Sequence, residues 1–200
     1  MRYSMAAIFV LLLAAALILS ACAGMKKTKP SASNFKKPEV SLASFQVPQY
    51  DGFWYYSKGI EPTMGEAGNR GAPLPMSFLF EVENPNPYPV MISSLTYSIA
   101  FEGFTLKTMN NQDEYWIPAK GTDHIRSTTM ITVRQSILSL KVASAQQLEE
   151  KGWSAPEALK RWWTKVPKLQ VPVQVKQGRA NFQANGVSEI VSFEGTYPQD

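Results

Sequence analysis

The chain has one cysteine and one histidine in 200 residues, and each scarcity excludes chemistry. A single thiol cannot close a disulfide within one molecule, and zinc sites built from several Cys and His side chains need more of both than this sequence holds. The only imidazole, His124, follows Asp123 directly. In an extended strand neighbours point to opposite faces, so this pair cannot form the base–orienter arrangement of a hydrolase triad. Glycines Gly65, Gly68 and Gly71 fall in a stretch without periodicity and do not lead from a strand into a helix, so they do not form a phosphate-binding loop. The acid pairs Asp113-Glu114 and Glu149-Glu150 fall in expected turn or helix surface. A catalytic role and a cofactor are therefore not expected.

Excess charge is also missing from the body of the chain. The formal net charge is +4, but Arg2 and five lysines before Pro38 account for it, leaving 14 basic against 16 acidic residues from there on. The footprint of a nucleic-acid-binding domain, basic residues clustered on the fold, is absent.

One long apolar run exists, at the start. Arg2, the run from Met5 to Leu19 and the small residues Ser20 and Ala21 have the layout of a secretory signal. Leu19-Ser20-Ala21-Cys22 resembles a lipobox, cut before a cysteine that carries a diacylglyceryl group and is then N-acylated; the other reading is an ordinary signal beside an incidental cysteine. Three acyl chains, at about 0.8 kcal/mol per buried CH₂, anchor a protein essentially permanently. Ala23, rather than aspartate, follows the cysteine, and resemblance to sorted lipoproteins implies the outer membrane, facing the periplasm. Residues 1–21 thus read as signal peptide, 22–39 as acylated cysteine and flexible tether, and 40–200 as the folded domain. Tether lysines Lys26, Lys27, Lys29, Lys36 and Lys37 either lie near anionic headgroups, at about 1 kcal/mol each, or simply keep the linker extended.

The segment from Met76 to Leu106 organises the domain. Met76, Phe78, Phe80 and Val82 alternate with Ser77, Glu81 and Glu83, and Leu95, Tyr97, Ile99 and Phe101 alternate with Thr96, Ser98, Ala100 and Glu102. Both runs have the period of strands with a core on one side. Between them, Pro85, Pro87 and Pro89 remove alternate N–H donors and hold Asn84, Asn86 and Tyr88 extended. That suits a stiff crossover or an edge strand. The asparagine amides either close turns onto the backbone or contact a ligand. This phenylalanine-rich strand, the Asn84-Pro85-Asn86-Pro87 segment and the following strand ending Phe101-Glu102-Gly103 resemble the late embryogenesis abundant type 2 group, also called the water-stress and hypersensitive-response domain. The likeness spans Phe45 to Pro198 and is distinctive only over Phe78 to Leu106. It implies an immunoglobulin-like β-sandwich and a non-enzymatic part in desiccation or stress tolerance, as in bacterial lipoprotein members of the family.

The rest of the chain fits a sandwich. Val40 to Pro48 supplies a first strand. Phe53-Trp54-Tyr55-Tyr56 packs aromatics together, either as a lip that binds a partner, lipid or sugar or as rings covering an open end of the sheets. Lys58 to Pro75 has no periodicity and reads as a long loop. Asn110 to Asp113 gives a turn, Tyr115 to Pro118 a strand, and His124 to Val133 another with His124 on its polar face. Ile137 to Val142 ends a strand or opens a helix, and Gln146 to Lys151 reads helical. Ser154 as N-cap, Pro156 in the first turn and Glu157 at the reciprocal position start a helix. That helix either lies on a membrane surface or closes the core with Trp162. Strands over Leu169 to Val175, Ala180 to Phe182 and Glu189 to Tyr197 complete the chain. About eight strands and one or two inserted helices describe a mainly β, antiparallel sandwich. Two functions remain: stress protection of membranes or proteins in the envelope, or an accessory module that binds a protein or lipid in envelope assembly or trafficking.

Overall fold

A computed structural model of the chain describes residues 28–49 and 73–199. Among the described residues, eight strands and three short α-helices follow one another in the order β1 (Glu39–Gln46), β2 (Pro73–Glu83), β3 (Val90–Phe101), β4 (Phe104–Asn111), β5 (Tyr115–Ile117), β6 (Thr122–Thr132), α1 (Val133–Ala143), α2 (Ala145–Glu150), α3 (Ala155–Lys165), β7 (Val173–Ala184) and β8 (Val187–Tyr197). The strands form two antiparallel sheets, β1-β2-β6 and β4-β3-β7-β8, with β5 sharing the β4 edge of β3. The mainly β sandwich read from the alternation is therefore present.

The inner faces meet through rings contributed by alternate positions. Phe78 packs on Phe45 at 5.1 Å and on Tyr97 at 5.4 Å, and Phe80 lies edge-on to Tyr97 at 5.0 Å and to Phe193 at 5.5 Å. Such edge-to-face pairs add about 0.5–1.5 kcal/mol each beyond the area they bury. Met76, Phe78, Phe80 and Val82 are all fully buried, as their period requires. β3 departs from the one-sided expectation: Ser98 and Ala100 are buried as well as Tyr97, Ile99 and Phe101.

The helical insertion has three helices, where one or two were expected. α1 begins at Val133, which continues the strand alternation in sequence but follows a capping box between Thr132 and Gln135. Ile137, Leu138, Leu140 and Val142 accordingly belong to a helix, with Leu138 and Val142 exposed. α3 has the expected box between Ser154 and Glu157. It brings Trp162 against Phe101 at 5.9 Å and Phe104 at 5.3 Å, with both Trp162 and Trp163 buried. The helix closes the far end of the sandwich.

Three expected boundaries move. Pro73 to Pro75 belong to β2 instead of a loop: β1 ends opposite Ser77, so the prolines, alternate along the chain, lie where β2 pairs with β6 alone. Leu169 is not in a strand but in a left-handed turn at φ 55°, and β7 starts at Val173. From there one strand runs to Ala184, because the register shift between Val175 and Gly178 absorbs the break read between two strands. Asn110 and Asn111 extend β4, and the chain turns after them.

Candidate functional site

At the end of the sandwich opposite the helices, Asn84 and Asn86 form a buried pair, 1% and 0% exposed. The prolines around them have no N–H, and the side-chain amides supply the donors that the backbone lacks. Asn84 Nδ2 donates to the carbonyls of Tyr88 and Pro118, both at 2.9 Å, and Asn84 Oδ1 accepts from Asn86 N at 3.0 Å and Asn86 Nδ2 at 2.9 Å. The first amide is thereby fixed, and it fixes the second. Asn86 then reads the peptide groups of a distant residue: its Oδ1 accepts from Lys36 N at 2.8 Å and its Nδ2 donates to Lys36 O at 2.7 Å. A carboxamide has the donor and acceptor of a peptide unit, so this contact copies a two-bond bridge between strands.

The segment held there forms a strap. Asn34 closes a turn, its Oδ1 accepting from Ser31 N at 3.0 Å and its Nδ2 donating to Lys29 O at 3.0 Å, and Tyr88 Oη donates to the same Oδ1 at 2.8 Å. Phe35 packs against the core and Pro38 is buried. The free tether expected to run to residue 39 therefore ends earlier: from Lys29 onward the chain is held to itself and to the domain. The linker-like composition of Lys29 to Pro38 hid this, because the partners that hold it lie 50 or more residues away.

The second cluster was not visible in the sequence. Glu102 sits at φ 49° in the turn between β3 and β4. Its carboxylate accepts from Arg161 Nε at 3.0 and 2.8 Å, from Arg161 Nη2 at 2.6 Å and from Trp162 Nε1 at 2.8 Å. The Arg161 hydrogen bonds, with help from Trp162, hold the Glu102 carboxyl below its ordinary range against the opposing effect of burial, and the same bonds push the guanidinium up. Lys151 and Arg161 both lie over the Trp153 ring, at 5.0 and 5.5 Å. These contacts bind the β3–β4 turn to α3, and every charge in them already has a partner.

Other polar groups are similarly engaged. His124 is half exposed, with Nε2 at 3.4 Å from Glu81 Oε2 on the neighbouring strand. Tyr97 Oη donates to Ser127 Oγ at 2.8 Å, and burial pushes the phenol up to about 12. Among the described residues no group of three or more His, Cys, Asp or Glu side chains is placed to hold a metal. Open clefts lie between β4 and α1 (about 450 Å³, including Lys107, Ser139 and Gln147) and between the β4 and β6 edges (about 390 Å³, including Asn111, Asp113 and Arg126). Leu19, Ser20, Ala21 and Cys22 of the lipobox, and Phe53, Trp54, Tyr55 and Tyr56 of the aromatic cluster, lie outside the described residues.

No protein-family model and no curated protein matches the chain. Solved structures do. The chain is similar to a protein named for the late embryogenesis abundant group, seen in solution, at 16% identity over 96% of this chain and 83% of that one, with a TM-score of 0.40. It is similar to a protein named ApaA from Bordetella pertussis at 10% identity, over 84% and 98% of the two chains, with a TM-score of 0.42. A protein from Archaeoglobus fulgidus matches at 9% identity, over 82% and 97%, with a TM-score of 0.38. At these identities and scores the likeness assigns no activity.

Proposed function

We propose that the chain is an envelope lipoprotein, acylated on Cys22 and anchored in the outer membrane facing the periplasm, whose non-catalytic sandwich protects membranes or proteins during water stress. The observation that carries the anchor is the four-residue pattern Leu19-Ser20-Ala21-Cys22 at the end of the only long apolar run, containing the only cysteine. The stress role is supported by the resemblance carried by Phe78 to Leu106. The non-catalytic reading is supported by the lone imidazole: it faces a carboxylate on an adjacent strand, and the Ser127 hydroxyl on its own strand is taken by Tyr97.

Metabolic labelling with a clickable palmitate tests the anchor. The mature chain takes the label and Cys22→Ala does not; an unlabelled wild-type chain refutes the proposal. Survival after drying tests the role, with a deletion strain losing viability while its detergent sensitivity stays normal. The second reading, an accessory module that binds a protein or lipid, is favoured by Leu138 and Val142, 59% and 84% exposed on α1. A deletion strain that becomes permeable to detergent, without a drying defect, decides for that reading.

A further inference from the structure

The docked strap limits how the body can stand over a bilayer, an inference that rests on the acylation of Cys22 proposed above. Asn34 holds the Lys29 carbonyl and Asn86 holds both peptide groups of Lys36. Seven residue steps then separate the acylated cysteine from the first held residue. At about 3.5 Å per fully extended residue this leash reaches about 24 Å, against about 60 Å if the chain were free as far as Glu39. The 11-residue strands β2 and β6 are about 35 Å long. A leash of the longer reach exceeds the body and imposes no orientation; the shorter one does not span it.

The topology says which end is held close. β6 starts at Thr122, beside the Gly121 carbonyl that accepts from Asn84 N at 2.9 Å, and leads away into α1 at Val133. β3 likewise runs from the strap end at Val90 to the turn at Glu102 that α3 covers. The strap end exposes Lys29, Lys36, Lys37 and Lys120 but also Glu39, Glu83 and Asp123. An excess of one charge does not choose the orientation, and the length of the leash does.

We propose that the Asn84–Asn86 pair is a docking socket for the protein's own strap, and that it makes this end of the sandwich the surface that meets the lipid bilayer. The exposed Leu138 and Val142 on α1 are then presented away from that bilayer. The buried asparagines act by shortening a tether, a role separate from forming the turn they occupy.

The test uses the full acylated chain in phosphatidylethanolamine–phosphatidylglycerol vesicles that carry a headgroup-nitroxide lipid. A fluorescent non-natural residue is placed at position 120, by the socket, or at position 142, on α1. Quenching is expected to be several-fold stronger at 120 than at 142, at low and at high salt alike. Lys36→Pro removes the N–H that Asn86 accepts, and Asn86→Ala removes the socket; either brings the two positions toward equal quenching. Both variants are checked by near-ultraviolet circular dichroism, and Lys36→Pro, an exposed change, carries the test if Asn86→Ala fails to fold. Equal quenching in the wild-type chain, or a difference that Lys36→Pro leaves untouched, overturns the orientation. The mass of the same sample separates the two failures. An acyl adduct with equal quenching sinks this inference alone, whereas an unmodified Cys22 sinks the anchor and the inference together.

Discussion

Replacing Glu102 by alanine tests whether a single carboxylate fastens the helices to the sandwich. The change removes the acceptor of the Trp162 indole N–H, at 2.8 Å, from a ring that is fully buried. A buried donor left without a partner costs about 1–3 kcal/mol. The Arg161 half of the contact is smaller: its side chain is 38% exposed and that of Glu102 19%, so solvent screening brings this part to about 1 kcal/mol or less. Glu102→Ala is therefore expected to lose about 1–4 kcal/mol, and Glu102→Gln, which keeps an oxygen for the indole, less than the alanine variant by the indole's share and no more than about 1 kcal/mol. Urea unfolding followed by tryptophan fluorescence reads both from the midpoint and slope. Equal losses in the two variants, or an alanine variant that matches the wild type, refute the assignment of the energy to the indole. The pH dependence supplies a second reading. The carboxyl is held below its unfolded value of 4.5, so its contribution is fully present above that value and fades as pH falls toward the depressed folded value. The gap between wild type and Glu102→Gln should narrow in that acid window.

Three further outcomes follow from the same geometry. Asn86→Ala loses the two bonds to Lys36 and the two to Asn84, less the backbone bond that alanine keeps, and is expected to cost about 2–3 kcal/mol and to speed hydrogen exchange at the Lys36 amide; unchanged exchange there contradicts the socket. Tyr97, pushed by burial from 10.0 to about 12, stabilises the fold fully below pH 10, and this contribution, on the order of 2–3 kcal/mol, drains away as pH rises to 12. Tyr97→Phe, at a cost of about 1 kcal/mol near neutrality, should flatten that alkaline loss, which an alkaline unfolding series will show or deny. Gly178→Ala places a Cβ 2.5 Å from the Phe193 carbonyl oxygen and 2.7 Å from its ring, so a loss of about 1–3 kcal/mol is expected; a neutral melt means that the strand there is not as closely packed as described.

What the sequence disclosed follows the range of its signals. Alternation found β2 and β3, because a strand with its core on one side imprints its period on Met76, Phe78, Phe80 and Val82 and again on Leu95, Tyr97, Ile99 and Phe101; the burial of Ser98 and Ala100 lay outside that signal. The box at Ser154 was legible, since both of its partners fall within four positions. The box at Thr132 was not, because Val133 is in phase with Ile125 and Ile131 and the apolar period overran the cap. Gly178 was invisible as a bulge: the shift between Val175 and Gly178 leaves no trace but a break in phase, which reads as two strands. Contacts between distant residues were beyond reach. Glu102 read as an outward strand residue, yet Arg161 waits 59 positions later, and no local pattern announces such a pair. Asn84 and Asn86 were half legible. Their turn is local, whereas the strap that they hold lies 50 residues upstream in a stretch whose composition is that of a linker.

The most direct test of the account is the mass of the N-terminal peptide of the mature chain, recovered from the membrane fraction by tryptic digestion. A peptide that begins at Cys22 and carries a diacylglyceryl thioether and an N-acyl group is the predicted result. A mature chain that begins elsewhere, or retains Cys22 without lipid, contradicts the anchor and the orientation built on it.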